Sequence, residues 1–131
     1  MKARSFLAAI LVSPLLLSAS FAQQAVKPLS LIGKWQASAK HPSGAMITTS
    51  VELTQGSKFT STTTVDEKPF MAASGTWTLT GTRLEWRYEH SSQPSIQPGF
   101  VDVDEVVSVS GTELTLSSKQ SGQTHTYKRL P

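Results

Sequence analysis

From Gly33 onward no stretch of the chain carries an apolar period of 3.6 residues over three turns, and that limits the fold more than any motif does. Turn residues cut the chain at short intervals instead: His41-Pro42-Ser43-Gly44, Gln55-Gly56-Ser57, Asp66-Glu67-Lys68-Pro69, Thr80-Gly81, Ser110-Gly111 and Ser121-Gly122. The segments between them predict eight strands, at 32–40, 46–54, 58–66, 69–79, 83–90, 100–109, 112–118 and 123–130. Thr60 to Thr64 is a β-branched run that suits a pleated surface and disfavours a helix. Leu84, Trp86 and Tyr88 alternate with Glu85, Arg87 and Glu89, and Leu114 and Leu116 with Glu113 and Thr115, which is the pattern of half-buried strands. The fold class is all-β.

The first residues stand apart from this pattern. Met1-Lys2-Ala3-Arg4 is basic, Phe6 to Leu17 is apolar, and Ser20-Phe21-Ala22 is a small-x-small site, which together predict a signal peptide at 1–22 cleaved after Ala22. The apolar run is broken by Pro14 and falls short of the roughly 20 residues that span a bilayer. The expectation is an exported protein, periplasmic or secreted, with no stable membrane insertion after cleavage. No Cys follows the apolar run, so there is no thiol for a lipid anchor, and no disulfide can staple the fold. Residues 23–131 suit one domain, expected to be a monomer. The formal charge of +3 falls to +1 once Lys2 and Arg4 leave, and the remaining basic residues are scattered. That is no footprint for nucleic acid or an anionic surface.

Strands joined by short loops favour an antiparallel up-and-down meander. Closing eight twisted strands into a barrel removes both edges, and a barrel of that size either fills with side chains or holds one small ligand. The longest connection, residues 91–99, contains Pro94 and Pro98 and must lie over a rim or in solvent. It reads either as a plain surface loop or as a functional lid, with Ile96, Phe100 and Met71 able to form an apolar lip.

Gly33-Lys34-Trp35 at the start of the first strand, with Arg129 at the end of the last, resembles the signature of the calycin superfamily, which includes the lipocalins. Gly75-Thr76-Trp77, Leu84, Glu113-Leu114-Thr115-Leu116 and the Tyr127-Lys128-Arg129 finish resemble the small bacterial lipocalin-like domains. The resemblance implies an eight-stranded barrel in which Gly33, Trp35 and Arg129 close one end, with the guanidinium over the indole. The Thr-Asp-Tyr motif and the disulfides of larger lipocalins are absent, and the chain is shorter than theirs, which argues against a deep transport cavity.

The chemistry-bearing residues point to binding. His41, His90 and His125 have no i, i+2 or i, i+4 spacing that would present two imidazoles together, so no metal site and no cofactor are expected. Asp102 and Asp104 would share a strand face, which reads as a solvated strand start rather than a Ca²⁺ site. There is no Gly-x-Ser-x-Gly elbow and no Cys nucleophile, so no catalytic residue is assigned and the protein is not expected to be an enzyme. Trp77, Trp86, Tyr88 and Phe100 with His90 are either ordinary core or the wall of a pocket at the open end, where they would bind a small, mostly apolar molecule. The alternative is an envelope interaction module, an inhibitor or assembly factor, that presents the 91–99 loop to a protein partner.

Overall fold

Polar turns divide the chain as the alternation predicts: β1 Gly33–Lys40, β2 Met46–Leu53, β3 Lys58–Val65, β4 Lys68–Thr80, β5 Arg83–Ser91, β6 Val101–Val109, β7 Glu113–Ser118 and β8 Thr124–Arg129. No strand end departs by more than one residue from its expected position. The structure, a computed structural model, describes residues 26–131; the leader expected at 1–22 lies outside the described residues. A 3₁₀ turn at Pro28–Leu31 precedes β1. Among the described residues no helix is long and apolar enough to cross a membrane.

Each strand pairs antiparallel with the next, and β8 returns to β1, so the sheet closes as an eight-stranded up-and-down barrel. The β1–β2 ladder is complete from Gly33–Leu53 to Lys40–Met46. The β1–β8 ladder is short: it pairs Trp35 with Arg129 and Gln36 with Lys128, after which Ala37–Lys40 and Thr124–Tyr127 run on without pairing to each other. The barrel is therefore sealed along one half of this seam and parted along the other.

Alternation fills the sealed half. Trp35, Leu53, Phe59, Leu84 and Leu114 point inward and are fully buried, with Leu31 of the 3₁₀ turn beneath them. Burying a side chain of this size contributes about 1.5–3 kcal/mol, so this cluster is a large favourable contribution to folding. Phe59 meets the edge of Trp86 at 5.1 Å and of Tyr88 at 5.4 Å between ring centres. Gly75 makes room for this stack: a Cβ there would collide with the Arg87 carbonyl and press on the Phe59 ring.

Three register shifts curve the sheet, between Thr63 and Thr64, Ser74 and Gly75, and Val106 and Ser108. Each inserts one extra residue on one strand, which bends it and reverses the inside–outside alternation beyond that point. The extra residues are Phe70, Glu89 and Val107, all exposed.

Candidate functional site

The open half of the barrel is built from the same strands but lined differently. Above Val51, Phe59 and Trp86, the inward positions are Thr49 of β2, Ser61 and Thr63 of β3, Tyr88 of β5, Asp102 and Asp104 of β6, and Tyr127 of β8. They enclose a cavity of about 140 Å³. Thr49 and Tyr127 also line a larger cleft of about 760 Å³ that lies along the parted seam between Ala37–Lys40 and Gln123–Tyr127. Chamber and cleft thus meet at these two residues. A groove of about 170 Å³ on the outer face of β1–β3, between Lys34, Glu52 and Thr60, is separate and brings no convergent groups together.

The two aspartates reach the interior through register. Trp86 pairs with Asp102 and Leu84 with Asp104, so both carboxylates share the inward face of those buried partners. This differs from the solvated face expected of them: Val101 and Val103, which look like the buried partners of the alternation, lie on the outer face. The Trp86 Nε1–H donates to Asp104 Oδ2 at 2.8 Å, and the Val103 amide donates to Asp102 Oδ1 at 3.0 Å. Among the described residues the ion pairs are Arg83–Glu85, Lys119–Glu105 and Lys128–Glu113, so neither chamber carboxylate has a cationic partner within salt-bridge reach.

The electrostatics follow from that lining. Burial raises the Asp104 carboxyl above the usual carboxylate range and the charge of Asp102 pushes the same way, while the Trp86 hydrogen bond and nearby His125 oppose it. The Tyr88 and Tyr127 hydroxyls are both pushed up to about 12, first by burial and then by the fields of Asp102 and Asp104. The chamber is a poor place for a further negative charge.

Of the residues expected to form a pocket, Trp86 and Tyr88 line this chamber together. Phe100 stands at its outer end, 42% exposed, with its ring 5.7 Å from that of Tyr88. Trp77 does not reach the chamber; it is buried in the sealed half, where its Nε1–H donates to the Thr54 carbonyl at 3.3 Å. His90 is exposed and pairs with Ser74 on the outer face, because the extra residue Glu89 reverses the alternation that Trp86 and Tyr88 begin. Gly33, Trp35 and Arg129 meet at the sealed end, where the Arg129 guanidinium covers the Trp35 ring. The 91–99 loop is tied down by backbone bonds from the Gly99 amide to the Tyr88 carbonyl at 2.7 Å and from the Tyr88 amide to the Phe100 carbonyl at 2.9 Å.

Strand patterning puts Asp102 and Asp104 on one strand face but reads that face as solvated, and it assigns Thr49, Ser61, Thr63 and Tyr127 no place in a pocket. The usable signal was Val106: it is core-facing, and counting back by two from it places Asp104 and Asp102 on its face. Among the described residues no group of three or more His, Asp or Glu stands close enough to hold a metal ion. No protein-family model matches this chain, and no curated protein matches it either.

Proposed function

We propose that this chain is an exported, lipocalin-like barrel that binds a small molecule in the chamber at its open end, without catalysing a reaction on it. The observation that carries this reading is the unfilled open half of the barrel. A chamber floored by Trp86 and Phe59 adjoins, across Thr49 and Tyr127, a seam cleft of mixed lining in which Ala37, Ala39 and Ile47 stand among Ser, Thr, Gln, Lys and His side chains. An aromatic floor with a few convergent polar groups is a usual make-up of a small-molecule site. The lipocalin likeness rests on the eight-stranded closure and on Trp35 beneath Arg129, and export rests on the leader at 1–22.

Native mass spectrometry of protein purified gently from its own envelope should retain a small molecule. Titration with a hydrophobic ligand panel should change Trp fluorescence through Trp86. Thr49→Phe, which fills the passage between chamber and cleft, should abolish that response while leaving the melting temperature near the wild-type value. A response unaltered by Thr49→Phe would overturn the site.

A second reading, a protein–protein module of the envelope, draws support from the exposed rings of Phe70, on the strand to which the 91–99 loop is tied, and of Phe100, which follows the loop in the chain. The Gln93 side-chain amide binds the Phe70 carbonyl at 3.1 Å and holds loop and β4 together there. Shortening the loop should then remove an envelope partner in a pull-down and leave Trp86 fluorescence titrations unchanged.

A further inference from the structure

We infer that the ligand of this chamber is an organic cation, an alkylammonium whose charged head lies between Asp102, Asp104 and the aromatic rings and whose aliphatic tail leaves through the β1–β8 cleft. This rests on the binding function proposed above and gives it a chemical class.

The head-group site follows from what lines the chamber. Its charged side chains are the two carboxylates, inward-facing on one strand and unpaired with any Lys or Arg among the described residues. Trp86, Phe59 and Tyr88 form a connected aromatic wall beside them, with Phe100 continuing it to the rim. Carboxylates supply the counter-charge, and ring faces attract a cation that has lost part of its water. Neither the Tyr88 nor the Tyr127 hydroxyl is held by a hydrogen bond among the described residues, which leaves both oxygens free to accept from an ammonium. An anionic head would meet two carboxylates at close range, and a neutral one would leave them uncompensated.

The tail site follows from size. A cavity of about 140 Å³ holds only a head group, whereas the adjoining cleft of about 760 Å³ can take a chain. The cleft opens where the β1–β8 ladder ends after Gln36–Lys128, and Ala37, Ala39, Pro42 and Ile47 give an aliphatic tail its apolar contacts in a wall otherwise lined by polar side chains. Its basic and titratable groups, Lys40, His41 and His125, lie along the cleft and outside the chamber lining.

The test compares three probes of equal chain length by calorimetry on the purified protein: octylammonium, octanol and octanoate. Octylammonium should bind on the order of tenfold tighter than octanol, and octanoate weakest. In the double variant Asp102→Asn, Asp104→Asn the advantage over octanol should vanish while octanol binds at least as tightly as to wild type, which also shows that the chamber is intact. Octylammonium affinity of the wild type should fall in acid, as Asp104 takes up a proton. Octanol binding as tightly as octylammonium, or a preference that survives in the double variant, would overturn the cationic class and leave small-molecule binding standing. Failure of all three probes, together with a Trp86 fluorescence response to the hydrophobic panel that Thr49→Phe abolishes, would overturn the class alone. The same failure with a response unaltered by Thr49→Phe would overturn both.

Discussion

The guanidinium carbon of Arg129 sits 4.1 Å from the centre of the Trp35 ring, and the two residues are also direct partners across the β1–β8 seam. The stacking is one contact of several. Arg129 Nε–H donates to the Gly111 carbonyl at 2.7 Å, and its two terminal nitrogens donate to the carbonyls of Ile32 at 2.8 Å and Ser30 at 3.1 Å. Trp35, fully buried beneath it, donates its Nε1–H to the Leu31 carbonyl at 2.8 Å. One arginine thus joins the 3₁₀ turn, the β6–β7 turn and the first and last strands over a single indole. With so short a β1–β8 ladder, these contacts do much of the work of closure.

Trp35→Ala should therefore cost about 3–5 kcal/mol, as a large cavity opens in the sealed half. Arg129→Ala should cost less, about 2–3 kcal/mol, for the charge-assisted bonds and the ring contact. Arg129→Lys should recover little of this, since an ammonium cannot reach three carbonyls in the fork geometry. Gly33→Ala should also destabilise: Gly33 has φ of 140°, and a Cβ there would run into the Arg129 guanidinium. Urea denaturation of the four variants checks the order, and equal, negligible losses for Trp35→Ala and Arg129→Ala would show that the pair does not close the barrel.

The strands were legible because they depend on local rules, whereas the meeting of Trp35 with Arg129, far apart in the chain, was expected from a resemblance of motifs and not from those rules. Alternation about Trp86 and turn residues at regular spacing locate strands without any knowledge of their partners. The chamber was less legible because it depends on register. Whether Asp102 or Val101 faces inward is decided by pairing with Trp86 on β5, and Glu89 reverses the face of His90 only because the sheet bulges there. Trp77 sits at the sealed end for a similar reason: its strand is long, and the end at which an inward residue lies is a property of the closed barrel.

Tyrosine ionisation offers a probe of the chamber that needs no ligand. Tyr88 and Tyr127 have hydroxyls raised from 10.0 to about 12 in the folded protein, so between those values the folded chain keeps protons that the unfolded chain releases. The stability they contribute is complete below pH 10 and is lost as pH rises through about 12. Each displacement corresponds to at most about 3 kcal/mol. Absorbance titration should show two tyrosinates forming late, and Tyr88→Phe or Tyr127→Phe should each flatten the alkaline loss of stability. Ordinary titration of both groups in the folded protein would contradict the buried, acidic setting.

Asp104 gives the opposite kind of variant, one that gains stability. Its carboxyl is raised by burial and by Asp102, so the folded protein disfavours the ionised form. The sign follows: stability from this group is greatest at low pH and falls as pH rises through its raised folded value. Asp104→Asn is neutral at every pH and keeps an oxygen to accept from Trp86 Nε1. It should melt higher than wild type at neutral pH, and the difference should disappear in acid, where Asp104 is itself neutral. Asp104→Ala should instead cost about 1–3 kcal/mol, because the indole N–H loses its acceptor in a half-buried site. Thermal melts of both variants at neutral and acid pH separate the charge from the hydrogen bond, and an Asn variant no more stable than wild type at neutral pH would mean that the chamber already compensates its charge.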